Sequence, residues 1–207
     1  MRILLATAVA IAPLMAASGA MAEVVISTAR TTPITTANAT GSGPDSIRMQ
    51  SGGSIAIKSG VAVTVNSSHN FVMDGGVITL DNAPAGATGV LIEGGNTADI
   101  EITGSIALLD DILTETDTDT DNDGDMDGPF ANGSNRYGIR LTGAAPLTGN
   151  IVVNSGAQIA VDGNDSYGIL LESALDGTLD MFGVVKVVGD DTYGVRVIGD
   201  VTGDIRT

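Results

Sequence analysis

A run of aspartates at alternate positions is the feature of this sequence with the clearest chemistry. Residues 116–127 read Thr-Asp-Thr-Asp-Thr-Asp-Asn-Asp-Gly-Asp-Met-Asp, which places hard oxygen ligands around a glycine that lets the chain curl about one cation. The spacing follows the D-x-D-x-D-G pattern of calcium loops, with Gly124 at the sharp turn. The predicted Ca²⁺ ligands are the side chains of Asp119, Asp121, Asp123 and Asp127 and the main-chain carbonyl of Asp125.

This loop departs from an EF-hand in two ways. Phe130 stands where the bidentate glutamate of an EF-hand should be, and no helical pattern flanks the loop. It is more similar to the calcium-rich aspartate repeats of extracellular proteins. A solvated acidic loop without metal accounts for the same residues, because blocks of like charge repel and stay extended. The sequence leaves both interpretations open.

Candidates for catalysis are few. The single histidine, His69, adjoins Ser67 and Ser68, but adjacency in sequence is not triad geometry, and no G-x-S-x-G motif occurs. Asp176 and Asp180 are candidates for a glycosidase pair, although they are indistinguishable from ordinary acidic turns. The sequence therefore predicts no catalytic residue and favours a protein without catalysis.

The composition excludes several classes of protein. The 207 residues include 25 acidic and 9 basic side chains, a formal net charge of −16, so a nucleic-acid interface lacks its basic footprint. The absence of cysteine excludes disulfide scaffolds, thiolate zinc sites and cysteine nucleophiles.

Residues 1–22 have the form of a cleaved export signal. Met1-Arg2 is a positive start, residues 3–17 are predominantly apolar, and Ala20-Met21-Ala22 fits the small-x-small cleavage rule. The apolar stretch is short for a bilayer span of about 20 residues, and no basic cluster follows it. We expect cleavage before Glu23 and a location in the envelope or on the surface of a bacterium.

The rest of the chain carries an internal repeat of short strands and glycine turns. A Tyr-Gly phrase followed by alternating apolar residues begins at Tyr137, Tyr167 and Tyr193, with a degenerate copy near Gly89. Two further short strands follow the glycine in each copy. Three strands in about 26 to 30 residues predict an all-β fold, a right-handed parallel β-helix (solenoid) of about six coils, each with about three short strands. A β-meander or sandwich uses the same residue types, but a repeated three-strand unit favours the solenoid.

Alternation along each Tyr-Gly strand predicts which side chains face inward. The expected inward residues are Ile139, Leu141, Ile169, Leu171, Val195 and Val197. The three tyrosines share that parity, so we expect them to stack on one another, with a carbohydrate-binding aromatic strip as the alternative. Arg140 and Arg196 have the opposite parity and should face solvent.

The repeat also divides the chain. After the signal, residues 23–52 are weakly patterned and predict an N-terminal cap or a weakly ordered lead-in, and residues 53–207 carry the repeats. The acidic loop lies in an insert at 110–135, a natural hinge between coils. The same turn of later coils should form an acidic ridge from Asp162, Asn164, Asp165, Asp190 and Asp191.

The export signal, the glycine-rich three-strand repeats and the Tyr-Gly-Ile-x-Leu phrases together resemble the passenger of a bacterial autotransporter (type V secretion). The resemblance covers about residues 26–207. It implies export through the inner membrane and a passenger displayed at the outer membrane or released. It also implies a C-terminal β-barrel translocator. No series of amphipathic strands follows the repeats, so we expect the chain to be an N-terminal fragment.

Two function classes follow from the residues and the resemblance. The first is a surface-displayed adhesin-like or structural rod, with a host-surface or matrix ligand as its partner. The second is a secreted β-helix enzyme acting on a polysaccharide, which should carry acidic and basic residues clustered on one outer sheet. The sequence favours the rod because Lys58 and Lys186 are its only lysines and the outer faces show no conspicuous cluster of acidic and basic residues.

Overall fold

The computed structural model describes residues 23–111, 122, 124 and 130–207. Short runs of β-branched and aliphatic residues form strands, and glycine, asparagine and aspartate turns end them. The strands stack in parallel into three long sheets, so the expected all-β parallel β-helix is confirmed. One short 3₁₀ helix, Thr36–Asn38, is the only helix among the described residues.

We number the strands β1 to β21 along the chain and describe them sheet by sheet. Sheet A contains, in spatial order, β1 (Val24–Ile26), β4 (Ile47–Gln50), β7 (Phe71–Asp74), β10 (Ile100–Ile102), β14 (Ile151–Val153), β18 (Leu179–Met181) and β21 (Ile205–Arg206). Sheet B contains β2 (Ala29–Arg30), β5 (Ser54–Ala56), β8 (Val77–Thr79), β11 (Ser105–Leu108), β15 (Gln158–Asp162) and β19 (Val184–Val188). Sheet C contains β3 (Ile34–Thr35), β6 (Val61–Val65), β9 (Thr88–Glu93), β12 (Tyr137–Thr142), β16 (Tyr167–Leu171) and β20 (Tyr193–Val197).

One strand from each of sheets A, B and C makes a coil, and the described residues form six complete coils, as predicted. Strand β21 pairs with β18 beyond the sixth coil. The fourth and fifth coils each contain a fourth short strand after sheet C, because β13 (Leu147–Thr148) pairs with β17 (Leu175–Asp176).

The register of sheet C confirms the repeat. Ile139 lies opposite Ile169, which lies opposite Val195, and the next inward position stacks Leu141 on Leu171. Like residues therefore meet like residues at equivalent positions of successive coils. Sheet A shows the same stacking in the core, with the fully buried column Ile47, Phe71, Ile100, Ile151 and Leu179.

Residues 23–52, for which the sequence predicts a cap or a weakly ordered lead-in, carry β1 to β4 and so form the first coil and the start of the second. The acidic insert leaves the fourth coil after β11 and returns before β12. Strands that precede the insert still pair continuously with strands that follow it, through β11 with β15 and through β9 with β12. The predicted hinge at the insert is therefore wrong, since two ladders of hydrogen bonds cross it.

A ladder of polar side chains runs along the turn that precedes sheet A. Each side-chain oxygen accepts the backbone N–H of the next coil: Ser46 from Asn70, Asn70 from Asp99, Asp99 from Asn150, and Asn150 from Thr178. The distances are 3.2, 2.9, 2.8 and 3.0 Å. These bonds satisfy turn amides that the strand ladders do not reach.

Candidate functional site

The predicted calcium ligands Asp119, Asp121, Asp123, Asp125 and Asp127 lie outside the described residues. Two neighbours in the same loop are described. Asn122 and Gly124 have φ angles of 62° and 98°, both in the left-handed region. A glycine there adopts this conformation without the steric cost that a Cβ brings, which agrees with a turn at Gly124.

The base of the insert is a buried ion pair. The Arg136 guanidinium donates to Oδ1 of Asp110 at 2.5 Å, and both side chains are almost fully buried, with 3% and 2% exposure. The same guanidinium donates to the carbonyl groups of Asp162 and Ala83. One arginine of the fourth coil thus joins the turns of the third and fifth coils.

The Asp110 carboxylate closes the other side of this base. Its Oδ2 accepts the backbone N–H groups of Asn132 and Gly133 at 2.9 and 2.8 Å. Burial by itself raises the pKa of Asp110, but the Gly133 amide, the Arg136 guanidinium and the Asn132 amide outweigh it and hold the pKa below its ordinary value. The carboxylate is therefore ionised at neutral pH, as the ion pair requires.

The tyrosines form a stack, as predicted, but on the outside of sheet C. The ring centroids of Tyr137 and Tyr167 are 5.6 Å apart, as are those of Tyr167 and Tyr193, and the ring planes differ by 2° and 6°. The Arg140 guanidinium lies 4.2 Å from the centroid of the Tyr137 ring, on the outward side of the strand. The inward parity predicted for the tyrosines is therefore wrong.

The reason is a bend at the glycine of each Tyr-Gly phrase. A Cβ on Gly138 would point into the core against the Ile159 side chain, and the next residue, Ile139, is buried as well. Two successive residues thus face inward, and the tyrosine before them faces outward. The same hypothetical Cβ would lie 2.5 Å from the Gly168 carbonyl oxygen of the next coil, so this position must stay glycine.

Arginines cover the tyrosine stack, as expected for side chains that face solvent. Arg140 forms a bidentate pair with Glu172, with distances of 2.9 and 3.1 Å, and this pair raises the pKa of Arg140. Arg196 donates to the Tyr167 hydroxyl at 3.1 Å. Burial raises the pKa of Tyr137, although the nearby Arg140 charge opposes the shift.

This geometry limits what the stack can bind. A sugar ring packs on the free flat face of an aromatic side chain, whereas both faces of the middle ring, Tyr167, lie against neighbouring tyrosines. Tyr137 is only 8% exposed, and Tyr193 reaches 46%. The stack therefore offers mainly ring edges and hydroxyl groups, as a structural ladder does.

The serine–histidine neighbours do come into contact, without triad geometry. The Ser67 hydroxyl lies 3.1 Å from Nδ1 of His69 and 2.9 Å from Oγ1 of the fully buried Thr36. In the described part of the chain no carboxylate hydrogen-bonds to His69. The same Thr36 oxygen also accepts hydrogen bonds from two backbone amides. Thr36, Ser67 and His69 therefore link the first two coils.

The two carboxylates considered for glycoside cleavage differ in their surroundings, because Oδ1 of Asp180 is buried without a hydrogen-bond partner among the described residues. Asp176 accepts the Thr202 hydroxyl at 2.8 Å, and Asp180 lies 3.6 Å from Nε of Arg206. Within residues 23–111 and 130–207 no group of three histidine, aspartate or glutamate side chains is arranged to hold a metal ion.

The expected acidic ridge follows the turn between sheets B and C. Asp165 and Asp191 occupy equivalent left-handed positions, with φ of 49° and 52°, and both are exposed. The Asn164 side chain accepts the Asp190 amide at 2.9 Å, so the two turns stack.

The buried Arg136 was missed by reasoning from the sequence. Its signal is an exception within the repeat, because the residue before the tyrosine is Ser166 or Thr192 in the later copies but arginine here. A charged residue at a position that is serine or threonine in the other copies indicates an oppositely charged partner nearby.

No family model matches this chain, and no curated protein and no solved structure match it either. In the described residues no helix is both long and apolar enough to cross a membrane.

Proposed function

We propose that this protein is an exported, surface-displayed rod of the autotransporter-passenger type, with an adhesin-like or structural role and no catalysis. The observation that carries the proposal is the six-coil parallel β-helix. Polar side chains form hydrogen-bonded ladders and ion pairs between its coils. Such a solenoid presents an extended repetitive surface, as displayed rods do.

The start of the solenoid supports export. Val24 already pairs in β1, and its amide donates to the Ser46 carbonyl. Glu23 pairs with Arg48 at 2.7 Å. Removal of residues 1–22 therefore takes away no strand of the first coil.

Protease accessibility tests the location of the protein. A tagged form of the chain is expressed in the source cell, and proteinase is added to the intact cells. We expect the chain to begin at Glu23 and to be degraded from outside. An Ala20→Lys, Ala22→Lys variant should keep its leader and stay protected at the inner membrane. Recovery of the unmodified chain with Met1 in the cytosol would overturn the proposal.

The translocator of the passenger family is part of the same proposal. The test is the reading frame downstream of the codon for Thr207, which we expect to continue into a C-terminal β-barrel. An adhesin-like role predicts retention of the chain on host-surface or matrix ligands.

The polysaccharide-cleaving alternative makes a different prediction. An enzyme shortens soluble glycans, whereas a binding rod is retained on them without changing their length. Asp176 accepts the Thr202 hydroxyl and Asp180 lies within ion-pair distance of Arg206, and these neighbours favour the rod. Size-exclusion analysis of glycans after incubation with the chain separates the two, and shortened products would support the enzyme.

We also propose that the aspartate loop binds Ca²⁺ through Asp119, Asp121, Asp123, Asp127 and the Asp125 carbonyl, on the basis of their spacing. Isothermal titration should give a dissociation constant of about 10⁻⁴ to 10⁻³ M, the range of extracellular sites. An Asp121→Ala, Asp123→Ala variant should no longer give the heat of Ca²⁺ binding.

The matched control is the Asp190→Ala, Asp191→Ala variant, which removes the same charge from another acidic turn. It should give the same heat of Ca²⁺ binding as the parent. Equal heats for the parent and the loop variant would leave the loop as a solvated spacer.

A further inference from the structure

We propose that Asp110 and Arg136 form a clamp that closes the solenoid beneath the acidic insert, so that the rod folds independently of residues 112–130. The proposal concerns the described turn on either side of the insert. The clamp is a property beyond surface display, because it concerns how the rod folds.

The clamp brings the two ends of the insert together. Asp110 precedes the insert, and the groups it binds, the Asn132 and Gly133 amides and the Arg136 guanidinium, all follow it. One carboxylate side chain therefore connects the two ends of the insert. The two chain ends lie close enough for a short linker to join them.

The clamp also fixes this turn to the coils on both sides. Toward the third coil, Arg136 donates to the Ala83 carbonyl. Toward the fifth coil, Arg136 donates to the Asp162 carbonyl, and the Asp110 amide donates to the Asp162 carboxylate at 3.2 Å. The same residues thus complete the stacking that an uninterrupted turn would make.

Backbone hydrogen bonds show that the turn is complete without the insert. The Asn82 amide donates to the Leu109 carbonyl, and the Gly86 amide donates to the Asn135 carbonyl, both at 2.8 Å. On the other side, the Asn135 amide donates to the Asn164 carbonyl at 2.8 Å. Each end of the insert is in register with its neighbouring coil.

Chain length agrees with this arrangement. Without residues 112–130, nine residues connect β11 to β12, against the eight that connect β8 to β9. The shortened turn would have nearly the length that already closes the third coil.

The test compares variants of the full chain by thermal unfolding and by amide hydrogen exchange. The first variant replaces residues 112–130 by Gly-Gly. We expect its Tm to stay within about 4 °C of the parent, with β12 and β16 still protected from exchange.

The second variant is Asp110→Ala, which leaves the Arg136 charge buried without its partner. We expect Tm to fall by roughly 6 to 20 °C and the Asn132 and Gly133 amides to exchange at least about tenfold faster. The matched control is Asp111→Ala, an exposed aspartate of the same turn that pairs with Asn82 and should change little.

Two results would overturn the clamp. One is a deletion variant that loses the protection of β16. The other is an Asp110→Ala variant that behaves like Asp111→Ala. If Asp110→Ala does not fold, the deletion variant still decides, because it keeps both clamp residues.

Discussion

Single residues stabilise this rod chiefly by contacting their counterparts in neighbouring coils. Tyr167 shows this most clearly, because its ring lies between those of Tyr137 and Tyr193 and its hydroxyl accepts from Arg196. Arg136 makes the same kind of link with charge, across three turns. The contribution of such a side chain to stability therefore depends on the coils above and below it.

Substitution of the middle tyrosine tests the stack. Tyr167→Ala removes two ring contacts and should lower the free energy of unfolding by about 2–4 kcal/mol. Tyr167→Phe keeps the ring and loses only the bond from Arg196, so it should cost at most about 1 kcal/mol. Denaturant unfolding of the three proteins measures both values, and equal losses would show that the ring contacts are not the source of the stability.

The buried carboxylate of Asp110 predicts a pH dependence. Its pKa in the folded chain lies below the ordinary value of 3.8, so ionised Asp110 stabilises the folded state fully above that value. The contribution is lost as the pH falls through the lower, folded pKa.

Comparison with Asp110→Asn isolates this contribution. The difference in unfolding free energy between parent and variant should be constant above about pH 5 and shrink in stronger acid. A difference that stays constant down to pH 2 would contradict the assignment to ionised Asp110.

At the scale of elements, the strands of sheet C from β6 onward are bent at one small residue, which the pairing between neighbouring strands skips. The bend lies at Ala62 in β6 and at Gly89, Gly138, Gly168 and Gly194 in the later strands. A Cβ added to any of the first three glycines would lie 2.5 to 2.6 Å from the carbonyl oxygen of the next glycine. The bend turns two successive residues inward and sends the tyrosine to the outer face. One column of small residues therefore controls both the core and the tyrosine stack.

Two alanine substitutions at equivalent positions test this column. Gly138→Ala forces a Cβ against the Gly168 carbonyl oxygen and should destabilise the chain by about 2–4 kcal/mol. Gly194→Ala occupies the same place in the sixth coil, where nothing lies within 4 Å of the Cβ, and should change stability by less than about 0.5 kcal/mol. Thermal and denaturant unfolding measure both, and similar effects would argue against close approach as the cause.

The whole molecule is an acidic rod whose last described coil exposes apolar side chains. Val184, Ile198 and Ile205 are 63%, 58% and 51% exposed, although the chain carries a net charge of −16. Unpaired strand edges with apolar side chains are templates for pairing with another chain. Repulsion between acidic rods opposes this pairing and weakens as salt screens the charges.

A polypeptide that ends at Thr207 should therefore self-associate through β20 and β21. Sedimentation velocity should show a mass that rises with concentration, more strongly at higher salt. Ile205→Lys should reduce association, whereas Val77→Lys, an exposed apolar position in the middle of the rod, should not. A parent chain that stays monomeric at all concentrations would contradict the prediction.

The sequence by itself determined the coil and its stacking order. A repeated phrase places Ile139, Ile169 and Val195 at equivalent positions, and in a solenoid equivalent positions pair. The tyrosine stack follows for the same reason. These properties are local and periodic, so they can be recognised without knowing the space around them.

Only the tertiary structure decided where the tyrosines point and how the insert is closed. Alternation by two assumes a straight strand, and the bend at Gly138 depends on its approach to Ile159 from another sheet. Asp110 and Arg136 are separated by the insert and meet because the solenoid returns the chain to the same turn. Contacts of this kind depend on packing between distant segments, which no local pattern specifies.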